Sequence, residues 1–186
     1  MPGFWRVLMA DVSLFLVFLI LALPQGARSA VSPTAGGMTV ELKDPQGKTV
    51  GTALLKETPK GVRIRLDAKG LPPGLKGIHI HENGQCAAPD FKSAGGHYNP
   101  GKTHHGKLSS EGPHLGDLPN LEVKANGQAK FTQMLPGATL KPGENSVRKP
   151  GGTAIVIHAG PDDLVSDPSG DSGDRIACGV IPEPKT

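Results

Sequence analysis

The sequence predicts an all-β domain: an eight-stranded antiparallel Greek-key barrel or sandwich with two long functional loops. Three observations predict it. Short runs alternate apolar and polar residues with the period of a half-buried strand, and Gly or Pro clusters separate them. The chain has 26 Gly and 18 Pro for turns, and no stretch shows the spacing of an amphipathic helix. Six of the seven histidines fall in one segment, 76–117, rich in Gly, Pro and Ser. A loop that long inside a compact domain needs a reason, and metal ligation supplies one.

At 186 residues the chain suits one domain with its own core. Residues 1–30 differ from the rest. MPGFWR carries one positive charge, 12–23 is apolar apart from Ser13, and small residues follow. A run of twelve residues, eleven of them apolar, is too short to span a bilayer and suits the h-region of a signal peptide. Cleavage is expected near Ser29 or Ala30, although Arg28 and Asp11 are atypical; the alternative is an uncleaved anchor. The mature domain is then 31–186, periplasmic or secreted, with no stable membrane insertion after cleavage.

The strands follow in order. MTVELKD (38–44) runs into the turn Asp44-Pro45-Gln46-Gly47, and 48–56 and 61–69 alternate around Thr58-Pro59-Lys60-Gly61. Gly70-Leu71-Pro72-Pro73-Gly74 breaks the chain before GIHIH (77–81). Side chains at i and i+2 share one face of a strand, so His79 and His81 point together, with Ile78 and Ile80 towards a core. Runs at 121–124 and 128–135 flank Asn126-Gly127, a hairpin signal. TAIVIHA (153–159) reads as a buried strand, and RIACGVI (175–181) closes the chain. His158 shares a face with Ala154 and Val156. Alone it reads as a structural histidine; beside the H-x-H strand it becomes a third imidazole.

Without Arg6, Arg28 and Asp11, the 20 basic and 17 acidic residues become 18 and 16, a net charge of +2. No basic stripe interleaved with aromatics appears, which excludes nucleic-acid binding. Two cysteines in an exported protein most simply form one disulfide. Cys86 and Cys178 lie about ninety residues apart. Closing that loop contributes roughly 4–5 kcal/mol in the chain-entropy model. Two free thiols, or a shared metal thiolate, is the alternative.

The motifs GIHIHENGQC, AGGHYNP, HLGDLPN, IHAGPDD and DRIACGVI, in that order, resemble those of the copper–zinc superoxide dismutases. GPDD and DPSGDSGDRIACGVI are most similar to the exported bacterial branch. The resemblance spans roughly Gly37 to Pro182. It implies one copper and one zinc per subunit. Copper would take His79, His81 and His158, with His97 bridging to zinc. Zinc would take His97, His105, His114 and Asp117, donor sets that suit each metal. His104 and His105 are adjacent candidates; the preceding Asn-Pro turn and the following Gly106 favour His105 and leave His104 as a solvated neighbour. Asp162 would hydrogen-bond His79 and His105.

The implied activity is dismutation of superoxide to dioxygen and hydrogen peroxide, protecting the cell envelope from extracytoplasmic superoxide. In it copper cycles, zinc holds the geometry, Arg175 docks the anion and His97 relays a proton. The assembly stays open between a monomer and a homodimer. A metal-sequestering protein on the same scaffold is the rival, and a zinc-stapled adhesin leaves the H-x-H strand and His158 unexplained. One feature opposes an anionic substrate: Asp162, Asp163, Asp167, Asp171 and Asp174 crowd the second loop without a Lys.

Overall fold

The computed structural model describes residues 37–185, together with Met1 and Gly3; the expected signal peptide otherwise lies outside the described residues. Among these residues no helix is long and apolar enough to cross a membrane. The strands are β1 (Gly37–Lys43), β2 (Thr49–Thr58), β3 (Gly61–Ala68), β4 (Gly74–Lys76), β5 (Ile78–His81), β6 (Leu121–Val123), β7 (Ala129–Pro136), β8 (Thr153–His158) and β9 (Arg175–Ile181). A single 3-10 turn spans Lys92–Ala94.

Seven strands form one antiparallel sheet in the order β5-β8-β9-β1-β2-β3-β7, and β4 pairs with β6. The sheet curls, and the β4–β6 pair lies between its two edges, since β4 leads into β5 and β6 leads into β7. The closing hairpin uses Asn126-Gly127, with Gly127 at φ 74° and the Lys124 amide donating to the Gln128 carbonyl. Asp44 holds the first turn by accepting the amides of Gln46 and Lys48.

Among the described residues there are nine strands, one more than expected, because the chain changes partner at Gly77. Its amide donates to the Gly160 carbonyl and its own carbonyl accepts from the His158 amide. A Cβ there would lie 2.7 Å from the Ser172 Cβ, so only glycine fits at this corner.

The alternation seen in the sequence decides what is inside. Leu42, Leu55, Ile64, Ile78, Ile80, Ile155 and Ile157 are fully buried in the main core. Each such side chain contributes about 1.5–3 kcal/mol of burial. On the other face of β8, Ala154 and Val156 pack with Phe91, Ala94 and Cys178 in a smaller apolar cluster. This cluster supports the H-x-H face from behind the first long loop.

Candidate metal centre

Two loops carry the remaining chemistry: 82–120 between β5 and β6, and 159–174 between β8 and β9. The first is laid along β5 by backbone bonds. The Tyr98 amide donates to the Ile80 carbonyl, the Gly116 amide to the Tyr98 carbonyl, and the Ile80 amide to the Gly116 carbonyl. Gly116 must be glycine, because a Cβ would stand 2.3 Å from the Ile80 carbonyl oxygen. The disulfide joins Cys86 of this loop to Cys178 of β9. In the second, a register shift between Ile157 and His158 brings Arg175 opposite His158.

These constraints gather the histidines. His79, His81, His97 and His158 form one buried group, and His97, His105, His114 and Asp117 a second, so His97 belongs to both. Each group brings together the residues that the resemblance names for one metal. His104 is outside both groups.

Hydrogen bonds assign the ring nitrogens. His81 Nδ1 donates to the Gly95 carbonyl at 2.9 Å and His158 Nδ1 to the Gly173 carbonyl at 3.1 Å. Their Nε2 atoms then carry lone pairs and face each other at 3.3 Å. Two neutral rings fixed in this way share no hydrogen bond there; a cation between the lone pairs relieves the contact. Asp162 accepts from His79 Nε2 at 2.7 Å and from His105 Nε2 at 3.0 Å, so one carboxylate orients a ring in each group. Its own backbone is pinned by Asn120.

Four buried ring nitrogens are left without a hydrogen-bond partner: His79 Nδ1, His97 Nε2, His105 Nδ1 and His114 Nδ1. His105 Nδ1 lies 3.2 Å from Asp117 Oδ2, and His114 Nδ1 3.3 Å from Asp117 Oδ1, close but not aligned for hydrogen bonding. An unpaired buried polar atom costs about 1–3 kcal/mol. Unpartnered nitrogens gathered around a carboxylate are a donor set that can hold a cation. The donors fit: three imidazoles and one carboxylate for zinc, imidazoles alone for copper.

Burial pushes His79 down to about 3 against the Asp162 bond, and His158 down to about 4 against the Gly173 carbonyl. His81 is well below its ordinary value and His97 is lowered, both chiefly by burial. These rings are neutral, as ligands must be. For His105, burial acts downward, but the Asp117 and Asp162 carboxylates outweigh it and raise the ring to about 9. Burial would raise both aspartates, yet the imidazoles hold them below the usual carboxylate range.

The signs predict the metal-free protein's pH profile. His79 and His158 have folded values below the unfolded 6.5, so their contribution is present above 6.5 and is lost as pH falls towards 3–4. His105 has a raised value, so its contribution is complete below 6.5 and is lost as pH climbs through about 9. Thermal unfolding of chelator-treated protein should therefore show a maximum near pH 6.5. A Tm that climbs steadily from pH 6 to 9 would contradict these assignments.

Arg175 sits beside this chemistry. Its guanidinium is half-buried and donates to the Phe91 carbonyl at 2.8 Å and the Gly95 carbonyl at 2.7 Å. Gly95 thus holds both Arg175 and His81. A cavity of about 360 Å³ opens over His81, His97, His158 and Arg175.

The chain matches the family model described as copper/zinc superoxide dismutase (SODC) over residues 49–181. A superoxide dismutase [Cu-Zn] 2 of Aquifex aeolicus is 54% identical over 143 residues, 76% of this chain and 84% of the relative. The chain belongs to the copper/zinc superoxide dismutase family. A family member from Caulobacter vibrioides is 42% identical over 146 residues, 77% of this chain and 84% of that one. A double mutant of a SOD-like protein from Bacillus subtilis superposes with a TM-score of 0.77. Its identity is 43%, and the match covers 80% of this chain and 99% of that one. Membership makes the chain a copper- and zinc-using oxidoreductase.

Two features of this superoxide dismutase were not legible beforehand. His104, expected to be a solvated neighbour, is exposed but engaged. Its Nδ1 bonds Asp167, and its Nε2 lies 3.1 Å from Glu111. Asp167 also accepts the His105 amide at 2.6 Å, tying one long loop to the other. The acidic loop is likewise partly consumed within the fold. Asp162 faces the two histidines, Asp163 caps the amides of Val165 and Ser166, and Asp167 is spent on 104 and 105. Only Asp171 and Asp174 of the five point into solvent without such a role.

Proposed function

We propose that the chain dismutates superoxide outside the cytoplasm, exported through residues 1–30 and protecting the cell envelope. The observation that carries the reading is the pair of buried donor groups sharing His97, with Arg175 on the same cavity. His79, His81, His97 and His158 would hold copper; His97, His105, His114 and Asp117 would hold zinc. Copper supplies a one-electron couple that accepts an electron from one superoxide and gives it to another, while zinc has no redox chemistry.

The chain's own residues do the rest. Arg175 presents a cation to an anionic substrate from a fixed position, since two carbonyls already orient its fork. His97 has its Nδ1 held against Asp117 Oδ1 at 2.9 Å, which leaves Nε2 as the ring's buried, unpartnered nitrogen. From there a proton can pass to the reduced product. Two superoxide anions and two protons give one dioxygen and one hydrogen peroxide. Asp162 fixes the tautomers of one ring in each group, so the two sites share an orienting carboxylate.

The rival reading, a metal store on the same scaffold, leaves Arg175 only a structural role, clamping the Phe91 and Gly95 carbonyls. Metal analysis of purified protein coupled to superoxide consumption separates the two. The expected result is copper and zinc bound together, with rapid consumption that disappears on copper removal. Bound metals with no consumption would leave the store.

A further inference from the structure

The four residues that would hold zinc are not seated alike. His97 pairs with His81 of β5 and Asp117 with His79, both as antiparallel bridges, and the His114 amide donates to Asp117 Oδ2 at 3.0 Å. Among the described residues His105 has no such pairing with β5. It is fully buried, its ring reaches Asp162 of the second long loop, and its amide donates to Asp167 Oδ1 of the same loop at 2.6 Å. Asp167 is the acceptor the structure gives that amide, and a buried amide without one is costly. The other carboxylate oxygen, Oδ2, bonds His104 Nδ1, so one side chain grips two consecutive residues of the first loop.

Both ends of this grip are braced. On the first loop, the His104 amide donates to the Glu111 carbonyl at 3.0 Å, and the His104 Nε2 lies 3.1 Å from the Glu111 carboxylate. On the second, Asp163 accepts the amides of Val165 and Ser166, and the Gly170 amide donates to the Ser166 carbonyl at 2.7 Å. Asp167 therefore extends from a closed turn. The loops also meet through backbone. The Leu108 amide donates to the Leu164 carbonyl, and a Cβ on Gly106 would stand 2.1 Å from that carbonyl oxygen. The His104 side of the clasp is exposed, where an ion pair contributes little by itself. The His105 amide is the contact that matters.

We propose that Asp167 is a positioning residue for zinc: by holding the His105 amide it sets where that imidazole stands and how slowly zinc leaves. The proposal rests on the zinc half of the reading above. Asp162 aims the ring, and Asp167 fixes the backbone from which the ring hangs. Partners of this kind, one bond removed from the metal, change its retention about ten- to a hundredfold when lost. Asp167 bonds no ring nitrogen of a candidate ligand, so the lower end of that range is expected. Its contacts do not include His79, His81 or His158, so copper retention is not coupled to it.

The test uses the native chain loaded with both metals, an excess of chelator, and separate rates for zinc and copper release. Asp167→Ala should release zinc about tenfold faster and copper at the native rate. Asp167→Asn keeps an oxygen for the His105 amide and should return most of the way to native zinc release. Asp174→Ala removes an exposed carboxylate of the same loop that bonds neither residue 104 nor 105, and should match the native protein. With cobalt in the zinc set, the d–d absorption should shift in Asp167→Ala and stay in place in the other two variants. Asp167→Leu, similar in size and without an acceptor, should behave as Ala and repeats the measurement if the Ala variant does not fold. Native zinc release without the Asp167 carboxylate would overturn the proposal. So would equal acceleration by Asp174→Ala, or zinc and copper leaving together, which would make Asp167 a general brace of the loops. Zinc uptake by the native chain is measured first. Its absence would overturn the zinc reading and this proposal with it, whereas uptake followed by native-like release from Asp167→Ala overturns this proposal alone.

Discussion

Replacing His158 with alanine is expected to reduce superoxide consumption to background while zinc stays bound. His158 belongs only to the group of His79, His81 and His97, and its Nε2 faces that of His81. It makes no bond to Asp117 or to the rings of His105 and His114. Its loss removes one of the four donors that would hold copper and leaves the other donor group whole. The ring is 3% exposed, so the variant also opens a small cavity and will unfold at a lower temperature. Zinc content therefore has to be measured beside activity. Val156→Ala provides the control: it thins the same face of β8 without touching a ligand, and should lower Tm yet keep activity. Loss of zinc and activity together in the His158 variant would mean the two sites are not separable. Retained activity would remove His158 from the proposed set.

The sequence shows the fold where local pattern and burial agree. Ile78, Ile80, Ile155 and Ile157 alternate with His79, His81 and His158 because a strand has two faces, and the structure keeps that partition. The NG turn and the Asp44 turn are equally local. What periodicity does not carry is the change of partner at Gly77, which depends on the distant residues Gly160 and Ser172. The candidate ligands are nameable through motif resemblance, while spacing alone leaves His104 and His105 side by side. Burial and direction separate them in the structure: His105 turns inward between Asp117 and Asp162, and His104 turns outward between Asp167 and Glu111. A weak signal for that link was present, since an acidic loop without lysine needs internal donors.

The same accounting bears on how an anion reaches the cavity. Three of the five loop aspartates hold histidines or backbone amides, which fixes their carboxylates towards partners within the protein. They keep their charge, so long-range attraction has to come from cations elsewhere on the surface. Close to the metals, Arg175 is the cation lining the cavity.

Arg175→Ile should leave copper and zinc bound, because arginine is no ligand, and should slow catalysis by roughly ten- to a hundredfold. The estimate follows from a charge-assisted contact of about 1.5–3 kcal/mol lost in the rate-determining encounter. Two carbonyls, those of Phe91 and Gly95, each lose one donor in the variant. The Gly95 carbonyl still accepts from His81 Nδ1, so the tautomer of that ring survives the change. Arg175→Lys should recover part of the rate, since it restores charge without the two-pronged fork that reaches both carbonyls. Raising ionic strength should slow the native protein more than the Ile variant, because only the native protein has this attraction to screen. Metal content measured on each variant keeps a lost rate from being read as a lost metal. If the Ile variant turned over at the native rate with both metals in place, Arg175 would be a loop clamp holding Phe91 and Gly95.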